Sequence, residues 1–164
     1  MSTASRPELE NRLSVAIMQW QDATQRFDEA VGHRLDLNPA ERRCLAMLVH
    51  GSQPPSVLAA GVGLTRSAMT ALLDRLAGRG FVERQRSARD RRQIVVRATD
   101  RARSEVIELY RPLGEGGAAL LARRSPSELE TILAFIEETL ALQTQVTEEL
   151  EAQTGQTGQA GERP

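Results

Sequence analysis

The sequence predicts a mainly α-helical fold with one small β-hairpin. Apolar residues recur at helical spacing over most of the chain, and one stretch, Ile94-Val95-Val96, is instead β-branched. A helix, a glycine-containing turn and a second helix stand immediately before the hairpin that this stretch completes. At 164 residues, 40% apolar and 26% charged, the composition suits one domain with a real core.

The first element is a long helix. Ser5 with Glu8 reads as a capping box, and Leu9, Leu13, Ile17, Trp20, Thr24, Phe27, Val31 and Leu35 form its stripe. A second helix opens with Asn38 as cap, Pro39 at the first helical position and Glu41 third, and runs to about His50 with Leu45, Leu48 and Val49 inward. The segment GSQPPS breaks it. A short helix over 55–61 and the turn Gly61-Val62-Gly63-Leu64 follow. Thr65 then caps a helix ending at Gly78 or Gly80. Its stripe is Met69, Leu72, Leu73 and Leu76, which sets Arg66, Ser67, Thr70 and Asp74 on the other side.

Phe81 to Arg86 and Gln93 to Ala98 read as strands joined by the polar tip Ser87-Ala88-Arg89-Asp90-Arg91-Arg92. Thr99 or Asp100 caps the next helix. Pro112, Gly114, Gly116 and Gly117 are expected to kink or interrupt it. Ser125-Pro126-Ser127-Glu128 opens a final helix carrying Leu129, Ile132, Leu133, Ile136, Leu140, Val146 and Leu150. The resulting division is 1–37, an N-terminal helix to which the resemblance given below assigns dimerisation; 38–98, a helix-turn-helix with a wing; 99–153, C-terminal helices to which the same resemblance assigns dimerisation; and 154–164, a low-complexity tail expected to be disordered.

Charge is unevenly placed. From Arg66 to Arg103 eleven arginines face four carboxylates, a local +7 in a chain whose formal net charge is −1. Residues 125–164 hold one arginine against eight glutamates, −7. A positive field beside a helix of groove-entering size points to nucleic acid, with the acidic end turned away from it. All 21 basic residues are arginine. Phosphate recognition would favour that residue, but GC-rich coding explains it as well, so placement rather than residue type is the evidence. At the start of the second of the paired helices, Arg66, Ser67 and Thr70 are placed to reach base edges while backbone amides favour phosphate. Arg75 suits phosphates or an internal salt bridge. Asp74 suits pairing with a neighbouring arginine or accepting from a cytosine amino group.

Other chemistry is sparse. Cys44 is the one cysteine and His33 and His50 the two histidines, so neither an intramolecular disulfide nor a zinc centre is expected. No triad, paired carboxylates or phosphate loop stands out, and neither enzymatic activity nor a cofactor is expected. No apolar run approaches the ~20 residues of a membrane span, and MSTASRPELENR has no signal-peptide core, so a cytoplasmic location without membrane partners is the expectation.

The segments LNPAERRCLAML, VLAAGVGLTRSAMTALLDRLAGRGFVERQRSARDRR and VVRATDRAR carry a resemblance. With Arg84 after Gly80-Phe81-Val82, then Asp90-Arg91-Arg92 and a threonine opening the next helix, the chain resembles the MarR family of bacterial winged helix-turn-helix regulators. The resemblance spans the first helix to about residue 150. It implies a recognition helix beginning with Thr65, Arg66, Ser67 and Thr70, a wing braced by Asp90, and Arg92 entering the minor groove. The DNA-contacting set then comprises Thr65, Arg66, Ser67, Thr70, Arg75, Arg84, Arg89, Asp90, Arg91 and Arg92. It also implies a homodimer through interlocking N- and C-terminal helices, a pseudo-palindromic operator, repression, and release by a small-molecule effector. Trp20, Phe27 and Tyr110 are candidates for lining an effector pocket, with core or dimer packing as the plainer role. The family's usual Leu-Thr-x-x-Gly after the wing is Ala98-Thr99-Asp100-Arg101-Ala102 here, and Pro54-Pro55 replaces a polar helix start. Two alternatives stand beside this reading. One is a thiol-oxidation sensor using Cys44, against which the residue reads more simply as a small buried hydrophobe. The other is a winged-helix protein-interaction module without DNA binding.

Overall fold

The computed structural model describes residues 4–87, 90 and 92–159. The elements are α1 (Arg6–Leu35), α2 (Pro39–Val49), α3 (Pro55–Val62), α4 (Arg66–Gly78), β1 (Val82–Arg86), β2 (Ile94–Ala98), α5 (Asp100–Leu121) and α6 (Pro126–Gln159). The fold is mainly helical with a two-stranded antiparallel sheet. The chain forms two compact units, residues 1–110 and 111–164, the division falling within α5.

The core of the first unit gathers one face from each short element. Cys44, Leu45, Leu58, Met69, Leu72, Leu73, Leu76 and Val96 are its largest fully buried side chains. Each buried leucine contributes about 1.5–3 kcal/mol relative to exposure. The apolar stripe of α4 is thereby wholly consumed in packing, which leaves its opposite face to solvent.

Caps set the element boundaries. Ser5 is the N-cap of α1, but its side chain makes no capping bond, contrary to the expected capping box. At α2 the box forms in full, with Asn38 Oδ1 accepting from Glu41 N at 2.9 Å and Glu41 Oε2 accepting from Asn38 N at 3.1 Å. Thr65 caps α4 and Ser125 caps α6, the latter through a reciprocal bond with Glu128. That pairing draws the Glu128 carboxyl below its ordinary range, since Ser125 donates to its charged form.

The α3–α4 connection turns through 104°. Gly63 permits it, with φ +75° and its amide bonded back to the end of α3. Gly61 instead lies inside α3, against the end of the Met47 side chain. The hairpin pairs Val82 with Ala98 through Arg86 with Ile94. Gln53, in the segment read only as a helix breaker, exchanges both backbone hydrogen bonds with Val96, 2.9 and 2.8 Å. The start of α3 is thus stitched to the sheet.

Thr99 caps α5, accepting from Ala102 N at 3.2 Å and donating to Gly80 O at 2.8 Å. Ala98 and Ala102, where the family pattern has leucine and glycine, are both buried. Pro112 does not interrupt α5, which is assigned unbroken to Leu121. It lies on an exposed part of the helix, where water can serve the carbonyl its missing N–H leaves free. Helix α6 continues to Gln159, past Thr154 where the low-complexity tail begins, and no proline stands in its way before Pro164.

Candidate nucleic-acid interface

The exposed face of α4 begins at its N-terminus. Thr65, Arg66, Ser67 and Thr70 are all exposed there. Thr65 Oγ1 accepts from Ala68 N at 3.3 Å and shares a 3.2 Å hydrogen bond with the Ser67 hydroxyl, while Thr70 Oγ1 donates to Arg66 O at 3.0 Å. The hydroxyls are thus held locally and the Arg66 side chain is left unengaged. Free amides and the positive end of the helix dipole lie at the same place.

The hairpin tip is organised by Asp90. Its carboxylate accepts from Arg92 N at 2.9 Å, and its carbonyl accepts from Gln93 N at 2.9 Å. Ser87 N donates to Gln93 O at 2.8 Å and closes the turn. Asp90 therefore fixes the backbone at Arg92 and Gln93, and the Arg92 side chain is exposed. Arg89 and Arg91 lie outside the described residues.

The arginine block divides by partner. Arg75 Nε donates to the buried Glu41 at 3.1 Å, and Arg84 pairs with Asp74 at 2.7 Å. Arg97 pairs with Glu83, its directly opposed neighbour across the sheet. Arg79 donates to the carbonyls of Leu35 and Asp36 at 2.9 and 2.6 Å, and Arg101 to those of Arg79 and Gly80 at 2.9 and 3.4 Å. The guanidiniums of Arg79 and Arg101 also lie 5.1 and 5.5 Å from the Phe81 ring centre. Among the described residues of the block, Arg66, Arg86, Arg92 and Arg103 make no ion pair. Arg75 and Arg84, both in the expected contact set, are thus held by carboxylates of the protein itself. Arg86 was not in that set. It shares a face of β1 with Arg84, two residues away, and the strand period was the signal for it.

The three aromatic candidates are not brought together. Phe27 and Tyr110 meet edge to face, 5.1 Å between centroids, and the Tyr110 hydroxyl donates to Asp28 at 2.6 Å. Trp20 is 60% exposed. An open cavity of about 540 Å³ lies elsewhere in the unit, between Leu35, Phe81, Ser104, Glu105 and Leu109. Cys44 is fully buried beside Leu45 and Leu48, and burial with the nearby Glu41 charge pushes its thiol up to about 11. Arg42, two residues before it on α2, is engaged by Asp28. A sensor cysteine needs the opposite environment. Among the described residues no group of three or more His, Cys, Asp or Glu side chains is placed to hold a metal, and no single helix is long and apolar enough to cross a membrane.

Two helices crossing at 104°, the second with a polar N-terminal face, followed by an arginine-tipped hairpin, define a winged helix-turn-helix. The sequence profile described as MarR family matches residues 37–94. An uncharacterized HTH-type transcriptional regulator of Bacillus subtilis (strain 168), YcgE, is 31% identical over 138 residues, spanning 83% of this chain and 90% of that protein. Two mutants of MepR from S. aureus share the fold. One, from a multidrug resistant clinical isolate, superposes with a TM-score of 0.61 at 17% identity, over 79% of this chain and 95% of that one. The other, bound to an oligodeoxyribonucleotide, gives 0.52 at 19% identity, over 79% and 96%. The chain belongs to the MarR family of transcriptional regulators.

Proposed function

We propose that the protein is a cytoplasmic repressor that binds a pseudo-palindromic operator in double-stranded DNA as a homodimer and is released by a small-molecule effector. The observation that carries the DNA reading is the joint exposure of Thr65, Arg66, Ser67 and Thr70 on α4 and of Arg92 on the wing. Arg66 and Arg92 are free of internal ion pairs among the described residues. The related MepR mutant bound to an oligodeoxyribonucleotide supports the same reading. Arg66 reads base edges in the major groove, the hydroxyls of Ser67 and Thr70 add contacts beside it, and Arg92 enters the minor groove. Arg86 holds phosphate. Arg75 and Arg84 reach phosphate only after leaving Glu41 and Asp74.

One recognition helix makes few base contacts, and a dimer doubles them on half-sites about one helical turn apart. Support for a dimer comes from apolar side chains left uncovered. Leu9, Leu13, Met18 and Trp20 of α1 are each at least half exposed, and Leu133, Leu140 and Leu142 of α6 are 57–60% exposed. Effector release is a population shift between two separations of the reading heads, which requires the ligand to bind one separation more tightly.

The test is a salt-titrated gel shift on the DNA upstream of the protein's own gene. Arg66→Ala is expected to cost about 1–3 kcal/mol and relax base preference at one position of each half-site, and Arg92→Ala to weaken binding on all sequences with a salt slope reduced by about 1. Binding unaltered by either change would sink the site assignment.

A further inference from the structure

Asp28 uses both of its carboxylate oxygens on two other helices. Oδ2 meets Arg42 Nη1 of α2 at 2.7 Å, and Oδ1 accepts the Tyr110 hydroxyl of α5 at 2.6 Å. The Asp28 and Arg42 side chains are 26% and 22% exposed, well below the exposure of an ordinary surface pair. The ring of Phe27, the preceding residue, packs against Tyr110 from the side. The Arg42 stem crosses α1 at the buried Gly32, where an added Cβ would come within 3.6 Å of Arg42 Cδ.

Helix α2 is in turn fused to the reading elements. Leu45 and Leu48 share one core with Leu58 of α3 and Leu72, Leu73 and Leu76 of α4. Glu41 of α2 also holds Arg75 of α4. A shift of α2 on α1 therefore carries α4 with it. Arg79 adds a tie at the end of α1, through bonds at 2.6 and 2.9 Å to the carbonyls of Asp36 and Leu35 and an ion pair at 3.3 Å with the exposed Asp36 carboxylate, none of which involves Asp28.

We propose that Asp28 is a positioning residue that sets the angle of the recognition helix on α1 and α5, and through it the half-site separation the dimer accepts. The proposal rests on the DNA-binding reading above. It concerns a residue that touches no DNA. Asp28→Asn is nearly isosteric and still accepts from Tyr110, but gives up the charge that holds Arg42. Tyr110→Phe removes only the hydroxyl and keeps the ring on Phe27.

The experiment is selection of duplexes from a randomised pool by the full-length protein and by each variant, with thermal unfolding recorded in parallel. The wild type is expected to enrich one half-site motif at one separation. Asp28→Asn is expected to enrich the same half-site at a shifted or broadened separation, and to bind the wild-type separation about tenfold more weakly. Tyr110→Phe is expected to move it in the same direction by less. A purely structural role would instead weaken every duplex equally, in step with lost stability, and leave the separation unmoved. An unchanged separation in both variants overturns the proposal alone, and Tyr110→Phe decides it if Asp28→Asn does not fold. Failure of the wild type to enrich any motif overturns the DNA-binding reading and the proposal together.

Discussion

Tyr110, the chain's single tyrosine, holds its proton unusually firmly. Burial, with the hydrogen bond to Asp28 added to it, pushes the phenol from 10.0 up to about 12. A folded-state value raised above the unfolded one means stability that is complete below about 10 and lost as pH rises toward 12. Tyrosinate absorbance followed through the alkaline range should show a midpoint near 12 in the folded protein, and near 10 in denaturant. A midpoint near 10 in the folded protein would contradict the Asp28–Tyr110 bond. That bond joins residues 82 apart in sequence, as the Glu41–Arg75 bond joins residues 34 apart. Helical spacing reveals neighbours three or four positions away and nothing at those distances. Arg75 was therefore legible as a candidate for an internal salt bridge and Asp74 as a partner for a neighbouring arginine, while Glu41 as the acid on Arg75 and Arg84 as the arginine on Asp74 were not.

Local signals placed the elements well wherever the chemistry was itself local. Asn38 with Glu41, Thr65, Ser125 with Glu128, and the β-branched run to Ala98 each fell where a cap or strand formed. The misses came from context. Ser5 had the right partner at Glu8 but makes no side-chain cap bond, and Gln53 found a backbone partner in Val96 that no local pattern announces. Glycines were legible as a turn but not individually assigned. Gly63 adopts φ +75°, whereas Gly61 is helical, and a Cβ there would press only on the flexible end of Met47. Thermal unfolding should separate them. Gly63→Ala is expected to cost about 1–2 kcal/mol through backbone strain, while Gly61→Ala is expected to be near neutral or mildly stabilising. Equal losses would mean that the 104° turn does not depend on the left-handed residue.

At the scale of the molecule, the apolar stripes of α1 and α6 are long and left exposed. If they are the dimer face, Leu133→Glu with Leu140→Glu should convert a dimer to a monomer in sedimentation equilibrium. Operator affinity should fall by about 10²–10⁴, the advantage of joining two half-site contacts. An intact dimer in that variant would place the interface elsewhere. The acidic end and the basic middle were plain in the sequence from charge alone, and so was the order of helices and wing. Which stripes the protein's own core leaves uncovered was not, because periodicity records that a face is apolar and not what covers it.

The pairing of Asp74 with Arg84 on the solvent-facing side of α4 has a consequence for selectivity. A regulator searches among a vast excess of wrong sites, and its grip on those comes almost entirely from charge. An acid that occupies an arginine lowers that indiscriminate grip without removing any contact to base edges. Asp74→Asn should therefore tighten binding to random duplex several-fold at low salt while the ratio of operator to random affinity falls. Unchanged random-duplex affinity would show that Arg84 takes no part. If Asp74→Asn behaves so, the carboxylates among the arginines act as a brake, keeping the searching protein from being trapped by the rest of the chromosome.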